Sequence, residues 1–188
     1  MRADAAAALA VAVLLVAGCS TGDEPSAGPT PAATPSPSPT RAAFGCDRVS
    51  GAEVGQWLGA PLEVEANPTE DGATACSAVH LGDERVTLSW APVTGAGTLD
   101  VASNRVFGDR EPAPAVEETT LPGGTPARMV VTEVPGTQIQ VDLVSLTGDD
   151  GLHVVVSAGA VGGGLTLGLA RLVDTAARIA EAYATPAG

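Results

Sequence analysis

Between residues 137 and 146 apolar and polar side chains alternate, with Ile139, Val141 and Leu143 set against Gln138, Gln140 and Asp142. Period two is the signature of a strand that buries one face and turns the other to water or to a partner. Residues 129–134 and 152–157 are apolar neighbours of this strand, separated from it by Pro135-Gly136 and by Gly148-Asp149-Asp150-Gly151. Both separators are turn chemistry, so the three segments are predicted to form an antiparallel meander. Upstream, residues 75–81 and 85–91 flank Gly82-Asp83-Glu84, and Val86, Leu88 and Trp90 alternate with Thr87 and Ser89, which predicts a hairpin.

Elsewhere the apolar period lengthens to that of a helix. Ser50-Gly51-Ala52-Glu53 reads as a capping box ahead of Val54, Trp57 and Leu58, with Gly59 and Pro61 as stop signals. Residues 98–107 carry Leu99, Ala102, Val106 and Phe107 at helical spacing, and Gly108 follows. The longest stripe lies in 165–184, where Leu165, Leu169, Leu172, Val173, Ala176, Ile179, Ala180 and Tyr183 share one face. Arg171, Asp174, Arg178 and Glu181 stand opposite them at the spacing of exposed ion pairs. The order helix, hairpin, helix, meander, helix predicts an α+β fold: an antiparallel sheet, hairpin plus three-stranded meander, packed on one face by two or three helices.

The first 43 residues obey neither period. Arg2 precedes an apolar run over residues 5–15, the length of a signal-peptide core and shorter than the roughly 20 residues of a membrane span. Val16-Ala17-Gly18-Cys19 follows and resembles the lipobox of bacterial lipoproteins, in which the cysteine thiol accepts diacylglycerol. Residues 1–18 are therefore expected to be a signal peptide and Cys19 the lipidated residue. Two acyl chains at about 0.8 kcal/mol per buried methylene would anchor the chain to the extracytoplasmic face of the cell membrane, where a single chain holds only marginally. Residues 20–43 contain six Pro, eight Ser or Thr and two Gly, too little apolar surface to offset ordering entropy, and are expected to be a disordered tether. Residues 44–188 remain as one domain. Export also decides the two remaining cysteines: in an oxidising compartment Cys46 and Cys76 are expected to form a structural disulfide. Their 30-residue separation is far from the Cys-x-x-Cys turn of redox enzymes.

Charge narrows the partners. The chain has 22 acidic residues against nine arginines and no lysine, a net charge of −13. Phosphate backbones would be repelled, so nucleic acid is excluded, and a peripheral hold on anionic lipid would need the basic cluster the chain lacks. With five aromatic residues in all, the core has to be built from Val, Leu and Ala. The lipobox, the Pro/Thr/Ser tether, Cys46, a helix ending Trp57-Leu58-Gly59, and Cys76 opening a strand together resemble small actinobacterial (mycobacterial-type) lipoproteins of unknown function. Where that family commonly continues its second cysteine as Cys-x-Trp or Cys-x-Tyr, this chain has Cys76-Ser77-Ala78. The resemblance implies a secreted two-cysteine surface domain and carries no catalytic residue.

Candidate chemistry is sparse. His80 and His153 are the only histidines, and neither has a Cys or His at metal-ligand spacing. His153 would share a strand face with Val155 and Ser157 and come near Gln140 or Asp142, against the ordinary reading of an exposed strand histidine. No serine stands in a nucleophile elbow. Gly162-Gly163-Gly164 before the last helix matches no phosphate-binding motif, although amides at a helix start bind anions. Glu63, Glu65, Glu70 and Asp71, and the Asp149-Asp150 pair, lack the spacing of a calcium loop and read as solvated turns. No cofactor is implied. Two functions follow: a membrane-anchored, non-catalytic binding or interaction module for an envelope protein, cell-wall or lipid ligand, or an envelope enzyme whose site, for example His153, Asp142 and a neighbouring Ser, is assembled only in three dimensions. A purely structural surface protein is the third.

Overall fold

The computed structural model describes residues 44–70 and 72–184; the expected signal peptide, Cys19, the tether and Asp71 lie outside them. Seven strands, β1 (Val64–Pro68), β2 (Thr74–Leu81), β3 (Glu84–Val93), β4 (Glu117–Thr120), β5 (Pro126–Val134), β6 (Gln138–Thr147) and β7 (Asp150–Ala160), form one sheet in the order β1-β2-β3-β7-β6-β5-β4. Every neighbouring pair is antiparallel. Three helices accompany it: α1 (Gly51–Leu58), α2 (Leu99–Phe107) and α3 (Leu169–Ala184). The fold is the expected α+β class, with the hairpin as β2–β3 and the meander as β5–β6–β7.

The ladder between β3 and β7 welds hairpin and meander into one sheet, running from Glu84 opposite Ala160 to Val93 opposite Gly151. Alternation along these strands then defines two faces. Val86, Leu88, Trp90, Val141, Leu143, Leu152, Val154 and Val156 all point to one side, where Leu172, Ala176, Ile179 and Tyr183 of α3 and Val54 and Leu58 of α1 complete a continuous core. Two helices on one face lie within the two or three that the sequence predicts there. The third, α2, lies on the opposite face, where Ala102 and Phe107 pack with Val130 and Val144 in a second, smaller core. Strand β6 is thus buried on both sides over Val141–Ser145, and Asp142, expected on a wet or partner-facing side, is fully buried.

Local chemistry explains the ends. The Ser50 side chain accepts from the Glu53 amide while Glu53 reaches back to Ser50, the expected capping box, and Gly59 closes α1 in the left-handed region at φ 76°. Expected from residue 165, α3 begins at Leu169, because the amides of Thr166 and Leu167 bond instead to the carboxylate of Glu84. Strands β1 and β4 were not foreseen. They are sheet edges, largely exposed and polar, held by main-chain pairing and lacking an apolar stripe.

The chain's first described turn is fastened to its last helix. Trp90 Nε1 donates to Tyr183 Oη at 2.8 Å, and Tyr183 Oη donates to the Gly45 carbonyl at 2.7 Å. Phe44 stacks on the Tyr183 ring with centroids 4.9 Å apart. Beside this, the expected disulfide joins Cys46 to Cys76, with Cα atoms 5.5 Å apart and a sequence separation of 30. The Cys46→Ala, Cys76→Ala double variant should lose about 3 to 4 kcal/mol of stability through the freed loop entropy of its unfolded chain. Urea unfolding with tryptophan emission measures this, and a midpoint equal to that of the parent refutes it.

Candidate functional site

The second core ends in a polar network. Val144 faces His153 and Asp142 faces Val155 across the β6–β7 ladder, which makes Asp142 and His153 diagonal neighbours on one face. His153 Nε2 lies 3.1 Å from Asp142 Oδ1. A carboxylate only accepts, so this nitrogen carries the proton it donates. Arg110 Nη2 donates to the same oxygen at 2.7 Å, and Gln140 Nε2 donates to Oδ2 at 2.7 Å. Phe107, the last residue of α2, meets the His153 ring edge-on with centroids 6.3 Å apart, and the Arg110 guanidinium lies 5.1 Å from the Phe107 centroid. The Asp142 side chain is 1% exposed, those of Arg110 and His153 36% and 25%. Burial alone would push the Asp142 pKa up; donors from His153, Arg110 and Gln140, with the charge of Arg110, outweigh it and hold the carboxyl well below the usual range.

Beyond this network α2 stops and the face is open. Register sets out its rows. Leu81, Arg85, Gly159, Gln138 and Val134 lie side by side across five strands, and the next row is Val79, Thr87, Ser157, Gln140 and Thr132. Thr87 and Ser157 share a hydrogen bond between their hydroxyls. Arg85, Thr87, Gln138, Ser157 and Gly159 line a shallow cleft of about 240 Å³. Arg85 and Gln138 are exposed, and the missing Gly159 side chain leaves the floor open, since a Cβ there would meet nothing closer than 4.0 Å.

The other candidates separate. His80 sits on the face of α1 and α3, where its Nδ1 is 3.2 Å from the Pro61 carbonyl, so the two histidines lie on opposite sides of the sheet. The amides after Gly162-Gly163-Gly164 are already occupied by Glu84 and do not wait for an anion. Glu63 and Glu65 are on or beside the exposed edge strand β1, Glu70 follows it, and Asp150 Oδ1 accepts from the Gly95 amide at 2.7 Å. No group of three or more His, Cys, Asp or Glu suited to a metal is present among the described residues, and no described helix is long and apolar enough to cross a membrane. Between α1 and α3, Trp57 borders a groove of about 400 Å³ with Val49, Pro122 and Ala182, and Arg178 lies 5.8 Å from its ring centroid.

Strands β3, β7 and β6 carry one serine each. Ser145 is buried on the α3 side, Ser157 is held by Thr87, and Ser89, exposed opposite Val155, is the diagonal neighbour of His153 on the side away from Asp142. None of their hydroxyls hydrogen-bonds to the imidazole. Arg110, the residue that neutralises Asp142, escaped the sequence reading, since it lies 32 residues away in a loop and no spacing connects the two. The chain matches no family model, no curated protein and no solved structure.

Two measurements test the network. Folding holds Asp142 ionised to a lower pH than the unfolded chain, whose aspartates titrate near 3.9, so its stabilisation is complete above about pH 5 and drains away as pH falls through 4 toward the lowered folded value. Urea midpoints taken from about pH 7 to pH 2 should therefore drop more steeply in the parent than in Asp142→Asn. Arg110→Met removes one donor from a buried carboxylate and should cost about 1 to 3 kcal/mol at neutral pH; an unchanged midpoint would show the pair to be dispensable.

Proposed function

We propose that this protein is a lipid-anchored, extracytoplasmic binding module without catalytic activity, and that it takes its partner on the open half of the sheet. One observation carries the reading: among the described residues no layer covers the rows from β2 to β5 beyond α2, although the strands are central in the sheet and the other half of the same face is packed. A partner that buries these rows would complete the layer that α2 begins. The side chains there, hydroxyls, amides and one guanidinium between Val79, Leu81 and Val134, suit a mixed polar and apolar contact. On the other side the space between α3 and sheet is filled by Trp90, Leu143, Leu152, Leu172 and Ile179, each under 2% exposed, which speaks against a lipid held between helix and sheet.

The anchor belongs to the same reading and rests on the lipobox and on a disulfide of the kind exported domains use. Replacing Cys19→Ser should move the chain from the membrane fraction to the soluble fraction of the producing cells and abolish incorporation of a clickable fatty acid; retention of the label would disprove lipidation at that thiol. For the binding face, the immobilised protein is exposed to envelope extract and bound species are read by mass spectrometry. Captured species should be lost when Leu81→Trp and Thr132→Trp block the open rows without changing thermal unfolding. Capture that survives the block, or none at all, refutes this use of the face.

The diagonal series Asp142, His153, Ser89 supports a second reading as an envelope hydrolase, since it has the order of acid, base and hydroxyl. A fluorophosphonate probe separates the two. The binding-module reading expects no labelling, whereas Ser89 labelling that disappears in His153→Gln would establish the enzyme.

A further inference from the structure

Every arginine among the described residues but one is engaged within the chain. Arg110 and Arg178 pair with Asp142 and Asp174, and Arg128 pairs with Asp100 and Glu118. Arg105 and Arg171 donate to the carbonyls of Thr94 and Leu58, and Arg48 lies over the Tyr183 ring. Arg85 has none of these contacts, although the chain carries 22 carboxylic side chains. In so acidic a protein a lone exposed guanidinium is unusual, because the surrounding field favours an internal carboxylate on it. Its surroundings sharpen the point. The cleft beside it is lined by Thr87, Gln138, Ser157 and Gly159, all hydrogen-bonding or without a side chain and none acidic.

Next to Arg85 and Thr87 on the same face stand Leu81 and Val79, 75% and 49% exposed, among the most exposed large apolar residues described. A cation without a partner among the described residues, neutral donors around it and an apolar shelf beside it form a pattern that an acidic residue followed by an aliphatic one would satisfy. We propose that the Arg85 cleft binds a side-chain carboxylate of a partner's peptide segment, with the neighbouring aliphatic side chain of that segment lying on Val79 and Leu81. The carboxylate takes two parallel N–H donors from the guanidinium and one from the Thr87, Ser157 or Gln138 set. Gly159 lets it approach the strand, where any larger residue would fill the space. The inference rests on the open face being the binding face, and it adds the chemistry of what binds.

The test uses the full chain in detergent and a blocked pentapeptide, Leu-Glu-Leu-Glu-Leu, beside the same peptide with Gln or Lys in place of Glu, with binding followed by interferometry. The Glu peptide should bind at least about tenfold more tightly than the Gln peptide, the Lys peptide should not bind, and Arg85→Gln should abolish the difference. Raising ionic strength from about 0.05 M to about 0.5 M should weaken the Glu peptide alone. Leu81→Ser should weaken Glu and Gln peptides equally. Both substituted residues are exposed, so thermal unfolding should stay at the parent value. Equal binding of the Glu and Gln peptides, or a preference that survives Arg85→Gln, overturns the proposal. If the Trp-blocked variant has lost its envelope partners while the peptides fail to discriminate, the binding face stands and the carboxylate falls; if blocking has no effect, both fall together.

Discussion

The pairing of β3 with β7 is the contact on which this molecule depends. Without it the sheet falls into β1–β3 and β4–β7, each with the bare edge of β3 or β7 and only part of the apolar face that α1 and α3 cover. The join is also remote in sequence, bringing Glu84 against Ala160. Once it forms, its register dictates all that follows on both faces: Trp90 is carried beside Val154 into the large core, and Thr87 is carried beside Ser157 on the open side. The same ladder places Glu84 near the amides that precede α3, so the covering helix is positioned from the seam.

From that seam the two faces diverge in character. One is dry and complete, closed by α1, α3 and the Trp90–Tyr183–Gly45 relay. The other is dry only beneath α2, and at the boundary between its packed and open halves lies the buried charge of Asp142. A buried carboxylate is tolerable there because three donors converge on it, and they arrive from β6, from β7 and from the segment after α2. The network therefore ties the short helix's exit to two strands of the meander, β6 and β7. Its ordinary consequence is rigidity at the edge of the open rows, and that supplies the fixed geometry a recognition surface requires.

Much of this could be read from the chain alone. The capping box, the turn at Pro135-Gly136, the hairpin at Gly82-Asp83-Glu84 and the stripe through Leu172, Ile179 and Tyr183 are local signals, and each formed as its local chemistry demands, while the disulfide is the pairing that Cys46 and Cys76 allow. What escaped depends on distance or on side. β1 and β4 pair through main-chain groups, so Val64-Glu65-Ala66-Asn67-Pro68 and Glu117-Glu118-Thr119-Thr120 show no alternation to detect. The apolar positions of α2 announce a buried side without saying against which face of the sheet. Asp142 has the sequence position of the solvent side in a clean alternation, and the donors from His153, Gln140 and Arg110, the last brought in by the fold, make its burial possible. The proximity of His153 to Asp142 was visible as strand parity; the absence of a hydroxyl bonded to the ring was not.

Gly151 has a reach out of proportion to its size. It sits on β7 beneath α2, where a Cβ would come within 2.8 Å of the Ala102 methyl and 3.0 Å of Val93 Cβ. The helix can rest directly on the strand because nothing projects from it. A methyl group at 151 would lift α2, and with it the Phe107 edge leaning on the imidazole and the loop that delivers Arg110. Water would then enter beside Asp142, and a bare spot in the backbone would have decided whether an acid one strand away stays charged in the dark of the protein or out in the solvent.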